Sequence, residues 1–281
     1  MVKSLSVAVV TDSIADVPEA FVAANPVFVV PAIVVIGGES LEDGKDISRE
    51  EYYSRLPALK PAPTTAAPAV GTFEQLYQDI LSQGYEKVIS LHAPVALTAI
   101  YRSAYIASQR FGENVRVFDC GQLTLGLGFQ VMALVEALRA GACLDEALER
   151  MAATRRRIHL VAMLDTLEYI RRSGRVSWAA ASLGTLLNLK PFIDVKEGEV
   201  RRMGETRTRR RGIERLHGLL AALGPLERLA ILHTNAEAEA GEFLAHVRQP
   251  VEKPAFIANV TTVIGTHVGP HGLGFVAVPV G

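Results

Sequence analysis

At 281 residues the chain is long enough for one large domain or two of ordinary size. Apolar residues make up 49% and charged residues 21%, the balance of a globular protein with a sizeable core. A formal net charge of −1 excludes any general attraction to nucleic acid or to an anionic membrane surface and leaves only local patches.

The opening "MVKSLSVAVVTDS" stays apolar over too short a stretch for a signal peptide or a membrane span, so a cytoplasmic location without stable membrane insertion is expected. Within it, "LSVAVVTDS" is a continuous β-branched run ending in polar residues, the pattern of a buried parallel strand that delivers a loop. Asp16 ahead of "VPEAF" predicts a helix start, with Pro18 tolerated in the first turn. "VFVVPAIVVI" predicts one or two further buried strands. "SREEYYSRL" and "GTFEQLYQDILSQG" have helical spacing, and Gly84 stops the second. "EKVISLHA" is a predicted strand, "ALTAIYRSAYIASQRF" a helix, "NVRVFDC" a strand and "LGFQVMALVEALRAG" a helix.

This alternation predicts a layered α/β domain on a parallel sheet over residues 1–153. Over 154–281 the pattern changes. "RIHLVAMLDTL" reads as strand then helix, "FIDVKEGEVRRMGETR" as a hairpin, "GIERLHGLLAALG" as a helix, "RLAILHTN" as a strand and "EAEAGEFLAHVR" as a helix. "IANVTTVIGTH" reads as a strand running into a loop, and "GFVAVPVG" closes with another strand. A second α/β domain with a mixed sheet is expected there.

Polar groups gather at the predicted strand ends, where α/β sheets bind ligands: Thr11, Asp12 and Ser13 in "VTDS", Thr64 and Thr65 in "PAPTTAAPAVGTF", and Ser90, His92 and Thr98 in "SLHAPVALTAIY". Taken singly, each serves equally as a helix cap. Near the C-terminus, "GTHVGPHGLG" surrounds His267 with four glycines and a proline, which predicts a loop rather than a helix and a titratable ring held by tight backbone. His267 and His271 are four apart, but glycine and proline between them prevent a helical pair, and neither cysteine spacing nor an HExxH pattern adds ligands; no metal and no cofactor is expected. Cys120 and Cys143 read as reduced, partly buried thiols.

The GLG triplets at 126–128 and 272–274 lack the third glycine of a dinucleotide loop, and neither a phosphate loop nor a GxSxG elbow is present. An enzyme acting on a small carboxylate or phosphorylated metabolite would have to use Asp12 or His267 as general base. The arginine-rich segments "TRRRIH", "YIRRSGRVSW" and "RRMGETRTRRRG" fit a solvated face or, alternatively, docking to an acidic partner or nucleic acid, the last of which steeply salt-dependent binding would mark. In "RRSGR", Gly174 breaks a helix and leaves Arg171, Arg172 and Arg175 on a turn.

Taken together, "VTDSIADVP", "PTTAAPAVGTFEQLY", "VFDCGQLTLGLG", "LDTLEYIRRSGRVSWAAASLGTLLNLKPFIDVKEGEV" and "IGTHVGPHGLG" follow one another as do the motifs of the DegV family of bacterial fatty acid-binding proteins, which the chain resembles over nearly its whole length. The resemblance implies a two-domain DegV-like α/β fold: a parallel-sheet N-terminal domain, a mixed-sheet C-terminal domain and an apolar ligand tunnel between them. It also implies a long-chain fatty acid as ligand, with a carboxylate held by Thr65 and His267. Thr64, Thr98, Ser13, Gly126, Gly265 and Thr266 are the expected surroundings. In that family the binding protein is not itself an enzyme. It presents the acid to a separate fatty acid kinase, and the resulting acyl phosphate feeds phospholipid synthesis. Arg172 and Arg175 are the residues expected to dock that kinase, and no nucleic-acid partner is implied. The chain departs from the family where Pro94 and Val95 replace two serines and Ala99-Ile100 replace Gly-Thr, and where Ala66, Ala67 and Ala69 replace polar residues of the threonine loop. Ser90 and His92 are the nearby polar groups that could compensate.

Overall fold

The computed structural model describes residues 6–180 and 189–281. The first five residues and the "ASLGTLLN" part of the long matched block, 181–188, lie outside them. In chain order the elements are β1 (Val7–Asp12), α1 (Glu19–Ala23), β2 (Val27–Val30), β3 (Ile33–Ile36), β4 (Glu39–Glu42), α2 (Arg49–Arg55), β5 (Thr64–Ala66), α3 (Val70–Ser82) and β6 (Lys87–His92). Then come α4 (Ile100–Ser108), β7 (Val115–Asp119), α5 (Thr124–Arg139), α6 (Leu144–Arg157), β8 (His159–Met163), α7 (Glu168–Ser173) and α8 (Ser177–Ala180). The last are β9 (Lys190–Lys196), β10 (Glu199–Thr206), α9 (Arg209–Ala221), β11 (Leu226–His233), α10 (Glu237–Ala245), β12 (Phe256–Asn259), α11 (Thr262–Val268) and β13 (Leu273–Pro279).

These elements form two compact units. One holds the chain up to Ile33 and Ala66–Arg156; the other holds Val34–Thr65 and Arg157–Gly281. The expected continuous split at 153/154 therefore misses an excursion: residues 34–65 pack with the C-terminal part. Hydrophobic periodicity reports that a segment is buried, not which core it is buried in.

In the first unit, strands run in the order β2-β1-β6-β7, all parallel. All six residues of β1 are buried: the apolar run Val7–Val10 fits a strand covered on both faces, and the polar Thr11 and Asp12 at its end are enclosed with it. α5 is apolar around almost its whole circumference because nearly every residue from Thr124 to Leu138 is buried. Gly128 on this helix lies against the Ala15 carbonyl, where any side chain would collide. Asp16 does not start a helix. It ends the short Ser13–Ala15 turn with left-handed backbone (φ 49°), and α1 begins only at Glu19. Asp12 caps that short turn, accepting from Ile14 N at 3.1 Å, while α1 starts after Pro18 with no side-chain cap. α3 stops as expected, with Gly84 at φ 97° just past its end.

The second unit is built on a six-stranded mixed sheet, β10-β9-β8-β13-β11-β12, in which only the β11–β12 pair is parallel. The predicted hairpin is β9–β10. Its two-residue turn, Glu197-Gly198, has φ of 51° and 77°, the doubly left-handed geometry that matches strand twist. Leu216 and Leu220 of α9 and Ala240 and Phe243 of α10 pack on Phe192, Ile231 and Phe275 of the sheet. A separate cluster joins Leu167, Ile170 and Val176 around α7 to Ile193. The excursion adds the small sheet β4-β3-β5 and its own core of Val34, Ile47, Tyr52, Tyr53 and Leu56.

The "IANVTTVIGTH" expectation is overturned. β12 ends at Asn259, and Thr262–Val268 is helical despite its β-branched run and Gly265. Local capping outweighs propensity here. Thr261 Oγ1 accepts from Val263 N at 3.2 Å, and the buried Asp43 carboxylate accepts from both Thr262 N (2.9 Å) and Thr262 Oγ1 (2.7 Å).

Candidate functional site

His267 lies in the last turn of α11, not in an irregular loop. Its Nε2 stands 3.0 Å from the hydroxyl of Thr65, which ends the excursion on β5. The sequence separates these two residues by 202 positions, and the second unit brings them together.

The excursion also grips the helix that carries the ring. Tyr52 and Tyr53 on α2 are fully enclosed. The Tyr52 hydroxyl is 2.6 Å from Thr266 Oγ1, which itself donates to Thr262 O at 2.8 Å. Tyr53 donates to Val260 O at 2.8 Å. Gly265 is required by this grip, because a Cβ there would overlap the Tyr53 hydroxyl. Gly269 caps the helix at φ 79°, and a Cβ on it would run into the Tyr169 ring. Gly265 and Gly269 thus admit aromatic rings of the protein itself rather than leaving backbone bare. Asp43, Tyr52 and Tyr53 carried no signal in the sequence beyond a helix pattern, since a clamp of this kind is defined only by what it touches.

Burial holds the His267 pKa down to about 4, with the nearby positive charge of Arg175 adding to the effect. The ring is neutral near pH 7, not protonated as a charged donor would be. When the neutral ring donates Nε2–H to the Thr65 oxygen, the hydroxyl hydrogen stays free to donate to a small anionic group. Arriving negative charge would favour protonation of the ring and strengthen the contact.

The other expected residues have different occupations. Thr266 and Gly265 serve the α2 contact just described. Thr64 is exposed on β5. Ser13, Thr98 and Gly126 belong to the first unit. Ser13 Oγ accepts from Ala32 N at 3.0 Å, a bond across 19 residues, and Thr98 Oγ1 accepts from Ile100 N at 3.3 Å in a local turn, so both oxygens have partners within the chain. Gly126 lies in α5 against the Gln122 side chain. Where Val95 stands, its backbone N donates to Asp119 Oδ2 at 3.0 Å. Arg172 and Arg175 are exposed around the Gly174 turn, whose left-handed φ of 68° ends α7.

Asp12, His92, Ser90 and Tyr77 form a chain in the first unit: His92 Nδ1 to Asp12 Oδ2 2.8 Å, His92 Nε2 to Ser90 Oγ 2.7 Å, Ser90 Oγ to Tyr77 OH 2.8 Å. Its order resembles a nucleophile relay, yet all four residues are fully enclosed, and Asp12 Oδ1 and Oδ2 also accept from Ile14 N and Ala93 N. Neither Asp12 as a general base nor Ser90 and His92 as replacement head-group ligands fits that enclosure. The chain satisfies polar groups inside the core. Cys120 is buried, and burial pushes its thiol pKa upward, which makes it unreactive, whereas Cys143 is exposed rather than partly buried. Among the described residues no helix is long and apolar enough to cross a membrane.

Comparison with known proteins places these features in context. The model of the DegV family, described as "Uncharacterised protein, DegV family", matches residues 6–280. A DegV domain-containing protein of Streptomyces coelicolor is 33% identical, covering 97% of this chain and 98% of its own length. The solved structure of a fatty acid-binding DegV family protein from Thermus thermophilus superimposes with a TM-score of 0.88 at 31% identity, covering 98% of this chain and 99% of that one. DegV from Bacillus subtilis, described as a fatty acid binding protein, gives 0.85 at 27% identity over 99% of this chain and 100% of that one.

Proposed function

The chain belongs to the DegV family, and from that premise we propose that it is a fatty acid carrier. It binds one long-chain fatty acid, shelters the alkyl chain in an apolar tunnel and holds the carboxylate at Thr65 and His267. A separate fatty acid kinase in the cytoplasm then phosphorylates the exposed carboxylate, and the acyl phosphate supplies phospholipid synthesis. The protein contributes binding and orientation, not a catalytic group.

The observation that carries this reading is the pair of Thr65 Oγ1 and His267 Nε2 at 3.0 Å on a helix end fixed by two buried tyrosines. The fatty acid binding described for the relatives from Thermus thermophilus and Bacillus subtilis supports it. Energetics favour tolerance of the altered serine segment. A chain of about fifteen methylenes gains ~0.8 kcal/mol for each one buried, or ~12 kcal/mol in gross terms. A lost hydrogen bond to the head group costs about 1–3 kcal/mol. Arg172 and Arg175, exposed on the turn after α7, are the proposed contacts for the kinase.

Titration calorimetry of the delipidated protein with palmitate tests the head-group assignment. The wild type binds one equivalent, and His267→Ala and Thr65→Val each weaken binding about tenfold. Unchanged affinity in both variants would remove these residues from the site, and a wild type that takes up no palmitate would refute the carrier reading.

A further inference from the structure

We infer that Thr234 is a positioning residue for His267: its hydroxyl ties the loop that follows α11 to the end of β11 and so fixes the ring against Thr65. The inference rests on the proposed role of His267 in holding a carboxylate.

Thr234 directly follows β11, an interior strand of the six-stranded sheet, and is only 2% exposed. Its hydroxyl donates to Gly269 O at 2.8 Å and accepts from Gly272 N at 2.7 Å. Its backbone makes two more bonds to the same loop, Thr234 N to Gly272 O at 3.1 Å and His271 N to Thr234 O at 2.6 Å. Gly269 is the C-cap of α11, two residues beyond His267, and its own N–H donates back to Gly265 O at 2.8 Å. One side chain therefore joins a strand held on both sides to the last turn of the helix that carries the ring.

The loop needs such a tie because its backbone is unusual. Gly269 and His271 both have left-handed φ, 79° and 61°. A non-glycine residue with positive φ is costly and persists only where its surroundings hold it. Arg209 adds a second tether, donating to His271 O at 2.7 Å while paired with Glu239. Arg209 reaches only the far side of the loop, whereas Thr234 holds the helix cap itself. Without the hydroxyl, the Gly269 carbonyl and the Gly272 N–H both lose a partner inside the protein, and the last turn of α11 is free to shift the ring away from Thr65.

The test compares Thr234→Val, which keeps the shape and removes the hydroxyl, with Thr234→Ser, which keeps the hydroxyl and loses a methyl. Two quantities are read: palmitate affinity by calorimetry, and the nitrogen-15 shifts of the His267 ring through a pH titration without ligand. The expected result is a folded Thr234→Val protein with about tenfold weaker binding and moved ring signals, and a Thr234→Ser protein restored on both counts. Should Thr234→Val fail to fold, Thr234→Ala removes the same hydroxyl without pressing a methyl onto the two polar groups and is read in the same way. Unmoved ring signals in a folded hydroxyl-less variant overturn the inference, as does a Thr234→Ser protein as impaired as Thr234→Val. If the wild type binds no palmitate, the carrier reading fails, and the ring signals still decide whether Thr234 positions His267.

Discussion

Lowering the pH from 7.5 to 5 should destabilise the protein through His267, by an amount that follows from its surroundings. In the unfolded chain the ring titrates near its ordinary value of 6.5, whereas burial and the charge of Arg175 hold it at about 4 in the folded protein. Between these values the unfolded state binds a proton that the folded state refuses, so stability is complete above pH 6.5 and declines as the pH falls towards 4. At about 1.4 kcal/mol per pH unit, the loss from this one ring at pH 5 is roughly 2 kcal/mol. His159, His217 and His233 are also shifted downward, mainly by burial, and add to the slope in the same direction.

Urea denaturation at half-unit pH steps, on wild type and on His267→Gln, isolates the term. The difference in unfolding free energy between the two proteins should shrink by roughly 2 kcal/mol as the pH drops from 7.5 to 5. A constant difference would mean that the ring is not held neutral, and the account of a desolvated imidazole would fail. A fatty acid carboxylate reverses part of this effect because it favours the protonated ring, so saturating palmitate should flatten the wild-type profile more than that of His267→Gln.

Two more changes probe the support around the ring and the partner surface. Gly265→Ala forces a methyl against the Tyr53 hydroxyl and should cost about 1–3 kcal/mol by thermal or urea unfolding, with palmitate affinity falling alongside; full stability would show that the α2–α11 contact is looser than described. Arg172→Glu combined with Arg175→Glu should abolish acyl phosphate formation by the kinase while leaving palmitate affinity within twofold, and joint loss of both would point to misfolding instead.

The sequence carried the local structure well wherever one pattern decided it. The apolar run of β1, the stop at Gly84 and the Glu197-Gly198 hairpin turn each follow from side-chain spacing or backbone freedom within a few residues. α11 did not follow, because "VTTVIG" has strand composition and becomes helical through Asp43, 219 residues away. The allegiance of residues 34–65 was hidden for the same reason: Tyr52 and Tyr53 look like ordinary helix residues until Thr266 and Gly265 are found beneath them. Thr65 and His267 were named from motif resemblance, and no reading of spacing would have paired them. Ser90 and His92 show the opposite failure. As isolated polar residues at a strand end they suggested ligand contact, yet their hydrogen-bond needs are met inside the core.

What the protein carries from the cell can be measured directly. Organic extraction of the freshly purified wild type, followed by mass spectrometry, should yield close to one equivalent of a long-chain fatty acid, and the His267→Ala protein should retain clearly less. A folded wild type that yields no acyl chain, and acquires none when offered palmitate, would contradict the account.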